Sequence, residues 1–269
     1  MIQRRYLQNM MIGGIAVLFG GTRLVPSSDA NGPVLTSAIT MVSGKANADD
    51  TAKINSLAKR PSRLASALGA LQNAVRPLSH PQALDDAFRS YFAFESAHPD
   101  KVRKPYLYFV DYGLPSTTPR GYVFDMKSLR IVDGPFMVAH GRGSSTKNGV
   151  PTRFSNAPCS AATSLGLYLA QETYGFNGKA GGRSYGSVGL RLKGVSEGFN
   201  DNARARGVVA HGAPYVTPTR AGKSEGCPAM EQKRAKRLLP EIANGGMVFL
   251  FAPNQRWMEN DPWIAAAAE

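Results

Sequence analysis

Two residues whose types can together carry out acyl transfer, His211 and Cys227, lie within one short stretch of this chain. A cysteine attacks a carbonyl group only as the thiolate, and a neighbouring imidazole takes the thiol proton as general base. Gly226 precedes the cysteine and lets backbone N–H groups turn towards a developing oxyanion. We therefore predict Cys227 as nucleophile, His211 as general base, and the N–H groups of Gly226 and Cys227 as an oxyanion hole.

The same residues allow other interpretations. The chain has two cysteines, Cys159 and Cys227, and a structural disulfide between them would block the nucleophile. Cys159 has no neighbouring base in the sequence, so as a free thiol it is expected to be buried or to line a pocket. Two Cys and two His would also make four zinc ligands, but no pair has the short spacing that zinc sites usually show. His211 alone would fit a buried core histidine. We predict free thiols, no metal and no other cofactor.

Short strands must position these side chains. Residues 208–210 are small, apolar or β-branched, which predicts a buried strand that ends at His211. Similar segments separated by Pro, Gly and Ser indicate an antiparallel meander. The predicted strands are 106–112, 121–124, 129–133, 136–140, 183–192, 208–211 and 247–252. Residues 161–174 fit either a helix or a strand, because Gly166 weakens a helix prediction.

Helices are predicted before this strand-rich region and once within it. Apolar residues at three- and four-residue steps indicate an amphipathic helix over 50–75, interrupted by Pro61, and a second helix over 81–96. A third is predicted over 233–243. We expect residues 51–98 to form a helical segment packed on the core, and residues 254–269 to form a tail that is docked on the surface or frayed.

The N-terminal residues 1–30 have the pattern of an export signal. Arg4 and Arg5 make a twin-arginine start, residues 10–21 are apolar, and small residues follow up to Ala30. Twelve apolar residues are too few to span a bilayer as a helix, which needs roughly twenty. An uncleaved anchor is the alternative, and residues 31–50 are expected to be a linker. We predict a periplasmic or otherwise exported protein that meets a membrane only transiently, during export.

The composition points to an anionic partner. The formal net charge is +13 at pH 7, and a basic surface attracts nucleic acid, membranes or the cell wall. Its Lys and Arg residues are scattered, and there is no RNA-binding motif with interleaved aromatic residues. We therefore do not expect nucleic acid as the partner.

The order of His211 and Ser224-Glu225-Gly226-Cys227 resembles the catalytic motif of the YkuD-type L,D-transpeptidases, bacterial enzymes that cross-link peptidoglycan. The similarity is greatest to the divergent branch called murein L,D-transpeptidase catalytic domain proteins. It extends over roughly residues 104–253, through Tyr108-Phe109-Val110-Asp111-Tyr112, Ala139-His140-Gly141-Arg142-Gly143-Ser144, Phe154-Ser155-Asn156, Ser164-Leu165-Gly166 and Ala203-Arg204-Ala205-Arg206-Gly207. The resemblance implies a mainly β chain with a YkuD-like β-sandwich and N-terminal helices, α+β overall.

The resemblance also implies further site residues. The Gly212 carbonyl or the Ser224 hydroxyl would hold the imidazole of His211. Glu225 and Ala229 depart from the better-known pattern, which has His and Arg or Asn at these positions. We expect Arg206 to hold a substrate carboxylate in place of the missing Arg or Asn, since a guanidinium binds carboxylates in two-point fashion. The other expected substrate contacts are Arg204, Tyr215, His140, Ser155 and Asn156, although the two arginines would also fit a solvated basic strand.

The predicted function is peptidoglycan cross-linking through a cysteine thioester, with donor and acceptor stem peptides as partners. The bond attacked joins an L- to a D-residue, with diaminopimelate–D-alanine favoured and L-alanine–D-glutamate as the second choice. Water as acceptor would instead give an L,D-carboxypeptidase or endopeptidase. A non-catalytic wall-binding protein is the alternative from another class. Papain- or NlpC-like peptidases are disfavoured, because they place Cys before His in the chain.

Overall fold

One mixed sheet of eight strands lies at the centre of the fold in this computed structural model, which describes residues 61–144 and 148–266. The predicted export signal, the linker and the first part of the helical segment lie outside the described residues. The strands that the structure describes are β1 (Tyr106–Asp111), β2 (Gly121–Asp125), β3 (Arg130–Phe136), β4 (His140–Gly141), β5 (Gly166–Ala180), β6 (Arg183–Gly194), β7 (Val209–Gly212), β8 (Val216–Thr217), β9 (Arg220–Ala221), β10 (Lys223–Ser224), β11 (Ala229–Met230) and β12 (Met247–Phe251).

The order of the large sheet is β11-β7-β6-β5-β12-β1-β2-β3, and β4 pairs with β10 and β8 with β9 in two small sheets. The predicted antiparallel meander is present as β1, β2 and β3. Two pairs in the large sheet are parallel, β12 with β1 and β11 with β7. Parallel pairs need long connections between strands, and a strand pattern does not say where such a connection returns to the sheet.

Helices pack beside the sheet and on its ends. The helices are α1 (Arg63–Leu71), α2 (Ala83–Ala97), α3 (Gln232–Ile242), α4 (Gln255–Asn260) and α5 (Pro262–Ala265), with 3₁₀ turns over Gln72–Ala74 and Arg142–Ser144. The described part of the helix predicted over 50–75 begins just after Pro61. There the Ser62 hydroxyl accepts the Ala65 N–H at 3.1 Å. The predicted helices over 81–96 and 233–243 are present as α2 and α3.

The core is rich in aromatic side chains. The Phe88 ring on α2 meets Phe124 on β2 edge-on, with centroids 5.4 Å apart. Phe249 and Phe251 of β12 are fully buried and contact Trp257 of α4, which is 2% exposed. Burial of an aromatic side chain contributes roughly 1.5–3 kcal/mol. The described part of the C-terminal segment is therefore docked through Trp257.

The segment over 161–174, which the pattern left open, contains the start of strand β5. Gly166 has a φ of +108°, and a Cβ at this position would lie 2.4 Å from the Ser196 hydroxyl oxygen. The glycine thus marks the start of the strand, because it allows the close approach of another segment. The α+β class is confirmed. Within 61–144 and 148–266, no helix has the length and apolar character needed to cross a membrane.

Candidate active site

The pairing of two parallel strands brings the predicted nucleophile and base together at the edge of the large sheet. His211 lies in β7, and its partner in the register is Ala229 of β11. The His211 N–H donates to the Pro228 carbonyl at 3.4 Å, so the pairing continues towards Cys227. Cys227 lies two residues before Ala229, and the Val209 N–H of β7 reaches its sulfur, so the cysteine lies beside the strand that carries His211.

The surroundings of Cys227 keep its side chain neutral at rest. The residue is half-buried, and burial raises the pKa of its thiol. The Val209 N–H hydrogen-bonds the sulfur and lowers the pKa, as does the charge of Arg206, whereas the carboxylate of Glu225 raises it. Within the described residues the thiol and the imidazole are not hydrogen-bonded to each other, and such catalytic bonds often tighten only around bound substrate.

His211 is neutral, and one hydrogen bond fixes which of its ring nitrogens is protonated. Its Nδ1 lies 3.1 Å from the Gly212 carbonyl oxygen, and since a carbonyl only accepts, Nδ1 carries the hydrogen and Nε2 keeps the lone pair. Burial lowers the pKa of His211 from 6.5 to about 4, against the opposing effect of the Gly212 hydrogen bond. The Phe176 ring stacks on the imidazole, with centroids 4.2 Å apart and an interplanar angle of 20°.

Ser224 shapes the turn that carries the cysteine and does not contact the imidazole. Its hydroxyl donates to the Cys227 carbonyl at 2.6 Å and accepts the Gly226 N–H at 3.2 Å. Of the two groups expected to hold His211, the structure therefore has the Gly212 carbonyl in contact and not Ser224. Gly226 has a φ of +123°, and a Cβ there would lie 3.0 Å from the Ala162 carbonyl oxygen, so the turn requires glycine.

The two N–H groups predicted as an oxyanion hole differ in their hydrogen bonding. The Gly226 N–H is engaged by Ser224, whereas the Cys227 N–H has no acceptor among the described residues. The geometry therefore leaves the Cys227 N–H as the available donor of the predicted pair.

Arg206 supports a loop beside the cysteine, which does not fit its expected contact with a substrate carboxylate. Its two terminal nitrogens make four hydrogen bonds to residues 155–164, including the carbonyl oxygens of Ser155 at 2.8 Å and Ala162 at 2.7 Å. Asn156 is engaged as well, because its amide donates to Asp201 at 2.8 Å and accepts the Asn202 N–H at 3.1 Å. Ser155 and Asn156 therefore stabilise this loop through hydrogen bonds.

The structure separates the other expected substrate contacts. Arg204 is exposed and pairs with Glu172 of β5 at 3.3 Å, which agrees with the alternative of a solvated basic residue. Tyr215 is half-buried beside the base, with its ring edge-on to His211 at 6.5 Å. Of the two, only Tyr215 lies beside His211.

His140 is fully buried, so it does not line a pocket as expected. The Arg120 guanidinium donates to His140 Nδ1 at 2.9 Å and to the Val138 carbonyl at 2.8 Å. Burial lowers the pKa of His140 to about 4, and the charges of Arg120 and Lys223 add to this effect. His140 is therefore a neutral core residue next to a buried arginine.

A cleft of about 500 Å³ opens beside the cysteine turn, and its lining residues are Arg142, Pro158, Cys159, Ala161, Asn202, Ala205, Arg206 and Glu225. Cys159 is an exposed free thiol on its wall, so the buried alternative for this residue is wrong. Cys227 is also free, and the structural disulfide is not formed. No group of three or more His, Cys, Asp or Glu side chains in the described part of the chain is arranged to hold a metal ion.

Three residues of this region were not identified from the sequence: Phe176, Arg120 and the cleft residue Arg142 in its pairing with Glu225. The sequence pattern could have placed Phe176 on a strand, because Tyr174 and Phe176 alternate with glycine in the period of a strand. Arg120 had none, because an arginine between Pro119 and Gly121 is typical of an exposed turn. Arg142 and Glu225 lie 83 residues apart in the chain.

Comparisons with known proteins identify one family. Residues 77–251 match the sequence model of the L,D-transpeptidase catalytic domain family. No curated protein sequence matches the chain. Among solved structures, an L,D-transpeptidase from Mycobacterium smegmatis is 13% identical with a TM-score of 0.34 over 55% of this chain and 59% of that one. An L,D-transpeptidase from Stackebrandtia nassauensis is 16% identical with a TM-score of 0.35 over 64% of this chain and 67% of that one. One from Xylanimonas cellulosilytica is 14% identical with a TM-score of 0.32 over 65% of this chain and 96% of that one. This chain thus spans about three fifths of the Mycobacterium smegmatis protein.

Proposed function

This chain belongs to the L,D-transpeptidase catalytic domain family, and we propose that it forms peptidoglycan cross-links through a thioester on Cys227. The observation that carries the proposal is the parallel pairing of β7 with β11, in which His211 is the partner of Ala229, two residues after Cys227. The neutral, Nδ1-protonated imidazole supports it further, since its Nε2 lone pair is available for a proton.

The first half-reaction makes the thioester. Nε2 of His211 takes the thiol proton, and the sulfur attacks the carbonyl carbon of an L-residue in the donor stem. The Cys227 N–H donates to the oxyanion, a contribution of about 3 kcal/mol for one such donor. The C–N bond to the D-residue breaks, and the imidazolium gives its proton to the leaving amine.

The second half-reaction transfers the acyl group. The amine of a neighbouring stem attacks the thioester carbonyl, its proton passes by way of His211 to the departing sulfur, and a new amide joins the two stems. Water in place of the amine would make the protein an L,D-carboxypeptidase or endopeptidase. The bond attacked is diaminopimelate–D-alanine in the favoured case and L-alanine–D-glutamate in the second.

The proton of the Cys227 thiol must move to His211 during the reaction and not before it. Burial raises the pKa of Cys227 and lowers that of His211, so thiol and imidazole are both neutral near pH 7. The thiolate is then formed only as the substrate carbonyl approaches, which limits side reactions of the nucleophile.

We place the reaction in the cell envelope. The substrate is part of the wall, residues 1–30 have the pattern of an export signal, and the net charge of +13 favours an anionic polymer.

The test is a digest of purified peptidoglycan with the protein, analysed by mass spectrometry, for the wild type, Cys227→Ala and Cys159→Ala. We expect new stem dimers with the wild type and Cys159→Ala and none with Cys227→Ala, and fragmentation identifies the L–D bond. Shortened monomers without dimers would make the protein a hydrolase. Sedimentation with the wall and no product from the wild type would favour a non-catalytic binding protein.

A further inference from the structure

The peptide group that precedes the nucleophile is held through its carbonyl oxygen. The fully buried Thr163 hydroxyl accepts the Gly141 N–H at 3.0 Å and donates to the Gly226 carbonyl at 3.3 Å. The Gly226 carbonyl and the Cys227 N–H belong to one planar peptide group. The hydroxyl that holds the carbonyl therefore also fixes the direction of the N–H, which is the oxyanion donor of the proposed mechanism.

The turn that carries the cysteine packs on one short segment, residues 138–141, which we call the supporting segment. Before the turn, β10 pairs with β4 of this segment. After the turn, the Ala139 N–H donates to the Ala229 carbonyl at 2.8 Å. Between these two pairings, a Cβ at Gly141 would lie 2.8 Å from the Gly226 Cα. The position of the supporting segment therefore sets the position of the turn.

Two fully buried side chains hold the supporting segment from within the core. The Arg120 guanidinium donates to the Val138 carbonyl at 2.8 Å and to His140 Nδ1 at 2.9 Å. The Tyr112 hydroxyl donates to the Ala139 carbonyl at 3.0 Å. Three consecutive residues of the segment are thus fixed by hydrogen bonds from the core.

Stabilisation of the core does not by itself account for Arg120. Its side chain donates to carbonyl oxygens and to an imidazole, and to no carboxylate among the described residues. Burial lowers its pKa to about 10, and a buried charge has a free-energy cost that an apolar side chain avoids. What a guanidinium supplies here is direction, because its planar fork binds several acceptors at fixed angles.

We propose that Thr163 and Arg120 are positioning residues that aim the Cys227 N–H at the oxyanion. Both are fully buried, so neither reaches a substrate. Thr163 acts on the peptide group itself, and Arg120 acts through the supporting segment. The inference rests on the proposed function and deepens it, because it assigns the groups that prepare the oxyanion donor of the same centre.

The test compares two reactions of the Cys227 thiol in a Cys159→Ser background. Acylation by para-nitrophenyl acetate forms an oxyanion at the attacked carbonyl, whereas alkylation by iodoacetamide takes place at a saturated carbon and forms none. Intact-protein mass spectrometry measures both rates, and Cys227→Ala gives the background. A loss of the fold would slow both reactions, and a misdirected N–H slows only the acylation.

Thr163→Val replaces the hydroxyl by a methyl group of similar size. We expect it to slow acylation about tenfold, less than the loss of a whole oxyanion donor, and to leave alkylation unchanged. Thr163→Ser keeps the hydroxyl and should restore acylation to the wild-type rate.

Arg120→Lys should slow acylation in the same selective way, because an ammonium lacks the planar fork that holds Val138 and His140 together. Arg234→Lys is the matched control and should leave both rates unchanged. Arg234 is a half-buried arginine whose partners, the Asp133 carboxylate and the Phe136 ring, lie outside the supporting segment.

Unfolding in urea identifies any variant that has lost its fold, and Tyr112→Phe, which removes one hydrogen bond to the segment, then takes its place with the same expectation. Equal slowing of acylation and alkylation, or wild-type acylation in Thr163→Val, would overturn the positioning role while the proposed function stands on the peptidoglycan digest. Failure of the wild type to be acylated would contradict a prepared oxyanion donor. The absence of new stem dimers from the digest would overturn the proposed function as well.

Discussion

At the scale of single residues, burial holds the proposed catalytic pair in its uncharged form. Cys227 and His211 have pKa values displaced in opposite directions, the thiol upwards and the imidazole downwards. Each displacement disfavours the charged form in a low-dielectric site. A thiolate–imidazolium pair is therefore not the resting state, and chemical modification should detect this.

In a Cys159→Ser background, the rate at which iodoacetamide alkylates Cys227 should rise with pH and reach half its limit above pH 9.0, the ordinary value of the thiol pKa. Glu225→Gln should move the profile to lower pH, because it removes a negative charge that raises the pKa of Cys227. Intact-protein mass spectrometry measures the rate. A rate that is already at its limit near neutral pH would contradict a buried neutral thiol.

Phe176 sets the exposure of the base by covering one face of the imidazole. His211 acts only when neutral, so the acid limb of kcat/KM should lie near its pKa of about 4. Phe176→Ala admits water to the imidazole and should raise the pKa of this limb towards 6.5. Phe176→Tyr keeps a ring at this position and should leave the pKa of the limb unchanged. The measurement is kcat/KM against pH, and identical limbs in Phe176→Ala and wild type would refute a role in desolvation.

At the scale of elements, α2 carries a buried carboxylic acid towards the C-terminal helices. Asp86 is 3% exposed, and its Oδ2 has no hydrogen-bond partner among the described residues. Burial, then the charge of Asp85, raises its pKa from 3.8 to about 7; Arg89 opposes this, and Asp261 adds to the rise. The helix therefore packs best when Asp86 is protonated.

The sign of the pH dependence follows from the raised pKa. Between pH 3.8 and about 7 the folded state keeps the Asp86 proton while the unfolded state has lost it, so stability falls as pH rises through this window. Asp86→Asn should remove roughly 4 kcal/mol of this loss, measured by urea unfolding at several pH values. Asp100→Asn, a change at an exposed carboxylate, is the control. Parallel pH profiles for Asp86→Asn and wild type would contradict a neutral Asp86.

At the scale of the whole molecule, the net charge of +13 is the property that we expect to attract the proposed partner, the anionic wall. Attraction between exposed charges is screened over a Debye length of roughly 10 Å at 0.1 M salt. Sedimentation with purified wall should therefore weaken steeply as NaCl is raised from about 50 mM to about 500 mM. Cys227→Ala should show the same salt dependence as the wild type. A retained fraction that does not change with salt would mean that contacts other than charge hold the protein on the wall.

Much of the fold could be predicted because the relevant patterns are local. The periodicity of α2 and α3, the meander of β1 to β3 and the strand that ends at His211 each depend on neighbouring residues. Gly226 could be predicted for the same reason, since a turn before a nucleophile needs a residue that tolerates positive φ.

Several residues predicted as substrate contacts are not available for that role in the folded structure. Arg206 and Asn156 have the right chemistry for substrate contacts, but they donate to other groups of the protein. His140 is fully buried, and its Nδ1 is held by Arg120. A sequence states which donors a side chain has and not which acceptors reach them first.

By itself the sequence determined which groups are available for chemistry: His211 on a strand, and Cys227 directly after a glycine turn. These features depend only on residue type and local order. Only the tertiary structure decided how the groups are used. The parallel pairing of β11 with β7, the Phe176 ring over the imidazole and the Arg142–Glu225 pair all join residues that are distant along the chain. Such contacts depend on where each segment returns to the sheet, and that is set by the packing of the whole core.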